Sequence, residues 1–280
     1  MRGFSFTGMT VAVILGLFAP NAVARAQEEP LIPGLSPEEE EIVIFVLGNT
    51  AFTLYHELGH ALISELDLPV IGREEDAVDG FAAVMMISEE PDDMADALIS
   101  AAADGWALLA DALAEQGAEI AFWARHGLDE QRYYQAICHL VGADPEGFEE
   151  FAVESGLPEE RVETCPFDYA QMFDGWQRLL APHATANGIP AYGSIRVVYE
   201  PTGGDFAELQ EGLRESGVTE AIAQEIADGV RLPRDLTIRY AGCDGDSNAY
   251  WDSEAGEVIM CHELIAEFRD LIVADIDRAR

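Results

Sequence analysis

The feature that most constrains this chain is His56-Glu57-Leu58-Gly59-His60, two histidines four residues apart with an acidic residue directly after the first. On an α-helix, residues four apart lie one above the other. The spacing therefore directs two imidazoles at one locus. Zinc suits such a locus, because it takes nitrogen and carboxylate ligands tetrahedrally and leaves a position for water. Glu57 is rotated along the helix toward that open position, where a carboxylate can take a proton from an attacking water and return it to a leaving amine. With 6 His and 32 Glu among 280 residues, chance supplies roughly 0.015 such matches.

The surroundings agree with a helix. Ser36-Pro37-Glu38-Glu39 has the Ser cap, early Pro and following Glu of a helix start. Ile42, Phe45, Asn49, Phe52, His56, His60 and Ile63 then recur every three or four residues, marking one face of a long helix that ends near Pro69. Gly59 inside that helix costs about 1 kcal/mol against alanine, so a close approach by a neighbouring element is expected there. A metal site of this kind needs a third ligand. A second helix, opened by Gly72 and running to about Met86, offers Glu74, Glu75, Asp76 and Asp79. Glu75 and Asp79 are four apart and share a face. Glu75 is read as the metal ligand, with Glu74 or Asp76 behind it, and Asp79 as the acceptor for a ligand histidine's N–H. An acidic helix start also has a plainer explanation in the helix dipole.

The other four histidines read as structural. His126, before Gly127, fits a helix C-terminus; His139, beside Cys138, fits packing; His183, after Pro182, fits an exposed position. His262-Glu263-Leu264 imitates the motif, but Ala266 stands where the second histidine would be.

Residues 1–26 read as a secretory signal peptide: Arg2, a short apolar run from Met9 to Ala19, then Ala24-Arg25-Ala26 as a cleavage site. The run is too short for a comfortable membrane span, and the mature chain is expected to be soluble and periplasmic or secreted. Residues 27–280 read as one domain, helical over 36–185 and mixed α/β over 190–280. The chain carries 53 acidic residues against 15 basic ones, all of them Arg, for a net charge of −38. Such a field repels nucleic-acid phosphates and anionic lipid surfaces. The cysteines Cys138, Cys165, Cys243 and Cys261 form no C-x-x-C pair. In an exported chain an even count suggests two disulfides. Three pairings are possible; the sequence-local one, Cys138–Cys165 with Cys243–Cys261, is preferred.

Along the rest of the chain, residues 92–125 predict one or two Ala- and Leu-rich helices, and Asp129 caps another running to about Val141. Residues 142–158 read mostly as loop with a short helical piece, and helices follow over 158–163 and 166–180. SIRVVYEP (194–201) and LTIRYAGC (236–243) are β-branched and read as strands, with helices between them over about 205–230. NAYWD (248–252) and EVIMC (257–261) predict a hairpin across SEAG, and a last helix runs from about Glu263 to Ala279. The fold class is α+β, mainly helical with a small C-terminal sheet.

An ordered series of segments carries a resemblance: YHELGHALI, LDLPVIGREEDAVD, DEQRYYQAIC, GADPEGF, ERVETCPFDYAQ, WQRLLAPH, RYAGC and NAYWDSEAGEVIMCHELI. In these the chain resembles a bacterial family of exported metallopeptidase-like proteins, over nearly all of its mature length. The family usually has Tyr where His262 stands, a departure outside the motif. The resemblance implies a zinc peptidase with a zincin-like core, one Zn2+ on His56 and His60, Glu57 as base, and paired disulfides. HELGH followed by E-x-x-x-D is also similar to gluzincin peptidases, which implies Glu75 as the zinc-binding glutamate. By the same likeness, strand 257–261 is expected along the active-site cleft, where a peptide substrate could pair with it. Tyr250, Tyr240 and Arg239 are candidates for an oxyanion donor. Two further readings stand beside a peptidase: a catalytically inactive zinc protein that captures peptides, and a metal-free interaction domain held by disulfides.

Overall fold

The computed structural model describes residues 30–88, 92–117, 119–185 and 193–280. The signal peptide expected over residues 1–26 lies outside the described residues. Among the described residues ten α-helices and four strands follow in the order α1 (Pro37–Leu66), α2 (Glu74–Met86), α3 (Asp93–Glu115), α4 (Asp129–Ala143), α5 (Pro145–Glu154), α6 (Glu159–Val162), α7 (Cys165–Leu180), β1 (Ile195–Tyr199), α8 (Asp205–Ser216), α9 (Val218–Gly229), β2 (Leu236–Ala241), β3 (Ala249–Asp252), β4 (Glu257–Cys261) and α10 (His262–Ala279). The fold is α+β, mostly helical, with a small sheet near the C-terminus.

α1 is the axis of the molecule. Ser36 caps it in a reciprocal box: its hydroxyl accepts the Glu39 N–H at 3.3 Å and the Glu39 carboxylate accepts the Ser36 N–H at 2.9 Å. Its middle is buried on nearly every side, from Phe45 through Leu54, Leu58 and Leu62, because α2, α3, α10 and the sheet all pack on it. α1 and α3 are long and apolar enough to cross a membrane by length and composition alone; most of the apolar window of α1 is buried inside the protein. Gly59 has the close neighbour its sequence position called for. A Cβ there would come within 2.9 Å of Val78 Cγ1 and 3.2 Å of Phe81 Cδ1, so the glycine lets α2 approach.

The chain reverses between α1 and α2 at two left-handed positions, Asp67 (φ 51°) and Gly72 (φ 120°). From the other side α7 pins α2: the Trp176 indole N–H donates to the Ala77 carbonyl at 3.1 Å. The sheet order is β1-β2-β4-β3. β1, β2 and β4 run parallel, and β3 is the antiparallel edge strand paired to β4. Arg234 ties the sheet's hairpin to α1 with a fork onto Glu65 (3.0 and 2.6 Å) and a bond to the Ser253 carbonyl (2.6 Å).

Both disulfides are the sequence-local ones, Cys138–Cys165 between α4 and α7 and Cys243–Cys261 beside the hairpin. They fit an oxidising compartment. Among its described residues the 92–125 stretch, read as one or two helices, forms one, α3, ending at Glu115. Two local readings are corrected. The short helical piece expected within 142–158 is a ten-residue helix, α5, that takes up most of the stretch read as loop, started by the Asp144 carboxylate on the Gly147 N–H at 3.0 Å. Asp129 is the first residue inside α4; Leu128 holds the cap position, with its N–H bonded to the Gln131 side chain at 3.1 Å.

Candidate metal centre

α1 places His56 and His60 one turn apart on a common face, with ring centroids 4.9 Å apart. The first turn of α2 delivers Glu74 and Glu75 to that face, and Asp79 follows one turn later. Each histidine has its outer nitrogen committed to a carboxylate: His56 Nδ1 lies 2.7 Å from Asp79 Oδ1, and His60 Nδ1 lies 2.7 Å from Glu74 Oε1. The carboxylates hold the Nδ1 side of each ring, and both Nε2 atoms face inward. There they meet one oxygen. Glu75 Oε2 is 3.2 Å from His60 Nε2 and 3.4 Å from His56 Nε2.

Three electron-rich atoms at such distances call for positive charge between them. Bonds of about 2.0–2.1 Å to a tetrahedral cation would separate the ligand atoms by roughly 3.3–3.4 Å, which the two distances match. The electrostatics say the same thing. Burial opposes charge on His56, but the Asp79 and Glu75 carboxylates outweigh it and lift its pKa to about 9. Hydrogen bonds from His126, His56 and His60 hold the Glu75 carboxyl far below the usual carboxylate range. His56, Glu57 and Glu75 are all buried. Burial raises the Glu57 carboxyl, against the pull of the two histidines.

The centre opens into a cleft of about 580 Å³ lined by His56, Glu57, His60 and Glu75, with Trp106 and Phe268 among its apolar walls. Residues Asn248 to Trp251 form another wall, so the strand beside the cleft is β3. This corrects the expectation for 257–261: β4 is paired on both sides, by β2 and β3, and offers no free edge. Of the oxyanion candidates, Tyr250 lines the cleft. Tyr240 is fully buried, bonded to Thr219 Oγ1 at 2.8 Å, and Arg239 is taken up by Glu257 and Glu200.

Three participants were not legible in sequence. His126 is in the loop before α4, not at a helix end; its Nε2 lies 2.9 Å from Glu75 Oε2 and its ring stacks on His56 at 5.8 Å. Arg125 reaches Glu75 Oε1 at 3.2 Å. Arg132, on α4, grips Asp79 with Nε at 2.7 Å and Nη2 at 2.6 Å. Asp76 instead pairs with Arg73 on the surface. The remaining histidines sit elsewhere. Buried His139 meets Gln135 at 3.0 Å, and His183 lies in a short turn after α7. His262 is held by Gln210 at 2.9 Å.

A family model described as "putative metallopeptidase" matches residues 23–180 and 199–279. The chain belongs to this family. No curated protein and no solved structure matches it. Membership in a metallopeptidase family implies a metal. Among the described residues, His56, His60 and Glu75 offer ligand atoms all within 4.8 Å of one another. The other such group, Cys243, Cys261 and Glu263, has both sulfurs consumed in a disulfide.

Proposed function

We propose that the chain is an exported zinc-dependent peptidase, residues 27–280 forming the mature enzyme, with His56, His60 and Glu75 as ligands and Glu57 as general base. The observation that carries this reading is the convergence of two Nε2 atoms and one carboxylate oxygen beside a second, buried carboxyl, that of Glu57. Two imidazoles and a carboxylate suit zinc, whereas magnesium and calcium favour all-oxygen sets. Zinc, when bound, would polarise the scissile carbonyl and acidify the attacking water.

The protein's own groups do the rest. Glu57, its proton affinity raised by burial, takes the water's proton and returns it to the leaving amine. Asp79 and Glu74 hold the Nδ1 protons of His56 and His60. Tyr250, which lines the cleft, is the candidate donor to the developing oxyanion, while His126 Nε2–H stays on Glu75 Oε2. The unpaired edge of β3 gives an extended peptide backbone hydrogen-bond partners along the cleft.

The test is a peptide library digested by the zinc-loaded protein and by its Glu57→Gln variant. Cleavage by the first and none by the second supports a peptidase. Peptide binding without cleavage by either identifies an inactive, zinc-containing peptide-binding protein.

A further inference from the structure

We propose that Arg132 is a positioning residue for the metal, joining the wall of the substrate cleft to the ligand His56 through Asp79. This rests on the metal-centre reading above. Asp79 faces two partners with one carboxylate. Its Oδ1 is 2.7 Å from His56 Nδ1 and 2.6 Å from Arg132 Nη2, while its Oδ2 takes Arg132 Nε at 2.7 Å. The two-pronged contact fixes the plane of the carboxylate as well as its position. Only one oxygen is then presented to His56, and the carboxylate can follow a turning imidazole only at the expense of the fork. Both side chains are almost out of solvent, 11% exposed for Arg132 and 13% for Asp79.

The other face of the guanidinium is also engaged. It lies 3.5 Å above the centre of the Trp106 ring, and Trp106 packs edge-on against Phe52 at 5.9 Å. Both aromatics line the cleft. Arg132 itself borders that cleft and a second cavity of about 600 Å³ on the far side of Asp79. The chain of contacts Trp106–Arg132–Asp79–His56 thus runs from a surface a substrate would touch to an atom that would hold the metal. Lysine cannot replace arginine here: an ammonium has neither the planar fork nor the face that stacks on indole.

The experiment measures zinc affinity by chelator competition and the visible spectrum of the cobalt-substituted protein. The variants are Arg132→Lys, Arg132→Met, Asp79→Asn and the double Asp79→Asn/Arg132→Met. Metal-free Tm is recorded for each. Removing an outer partner of a ligand histidine typically weakens metal affinity about ten- to a hundredfold. That loss is expected for both Arg132 variants, with a shifted cobalt spectrum and a smaller Tm gain on adding zinc. In the Asp79→Asn background, Arg132→Met should cost no further affinity. Arg132→Lys keeps a positive charge beside buried Asp79, so it remains informative if Arg132→Met does not fold. Wild-type affinity and spectrum in the Arg132 variants would overturn the proposal. So would an equal loss from Arg132→Met with and without Asp79. A wild-type chain that takes up no divalent cation would instead overturn the metal reading on which both stand.

Discussion

The chain contains the tripeptide His-Glu-Leu twice, at 56–58 and at 262–264, and the two copies end in different chemistry. The first lies deep within a 30-residue helix, with a second histidine one turn on and a carboxylate-rich helix laid across it. The second opens α10. There Glu263 turns back to accept the backbone N–H groups of Cys243 (3.0 Å) and Gly245 (3.0 Å), and His262 bonds to Gln210. The same three residues make a candidate metal centre in one place and a loop clamp in the other. The deciding differences are helix phase, the residue at the fourth position, and which element packs opposite.

The largest contrast should be catalytic. Glu57→Gln is expected to lower peptide hydrolysis by about 10²–10⁴, the usual worth of a positioned acid–base group, with zinc retained. Glu263→Gln should leave hydrolysis intact and cost about 1 kcal/mol of stability from weakened hydrogen bonds. Equal losses of hydrolysis would erase the distinction between the copies. Metal content sharpens it next. His60→Ala should reduce zinc affinity by more than the roughly hundredfold upper range seen for outer partners, whereas His262→Ala should bind zinc as the wild type does; chelator competition reads both.

Titration supplies a histidine outside either tripeptide. Burial pushes His139 down to about 4, against about 6.5 in an unfolded chain. The unfolded state therefore binds the extra proton between these values. The stability His139 contributes is complete above pH 6.5 and is lost as pH falls toward 4, by up to about 3 kcal/mol. His139→Gln should flatten that part of the acid limb in urea titrations at stepped pH. The smallest contrast is steric. Gly59→Ala would press a methyl group against Val78 and Phe81 and should cost about 1–3 kcal/mol. Gly242→Ala, directly before the loop that Glu263 clamps, has nothing within 4 Å of its added carbon and should stay within about 0.5 kcal/mol.

What the sequence disclosed depended on how local the cause was. The capping box, the histidine face of α1, the acidic turn of α2 and the short-range disulfides involve residues near one another in the chain, or a single helical period. That Glu75 and Asp79 face the two histidines was legible because one helix turn separates them and their helix follows the motif directly. His126 and Arg132 lie some seventy residues further on, in a loop and on a helix whose periodicity reports only its own core face; nothing in HGLDEQRYY distinguishes a site residue from a surface one. The hairpin was legible, but its placement was not. Alternation of polarity cannot say which of two paired strands becomes the edge, and parallel pairing of β4 with β2 put β3 on the outside.

The most direct test is a crystal of the zinc-loaded protein with anomalous scattering recorded at the zinc edge. One peak is expected about 2 Å from His56 Nε2, His60 Nε2 and Glu75 Oε2. A loaded crystal with no peak there, or with its only peak beside His262 and Glu263, would contradict the assignment of the first tripeptide as the metal centre.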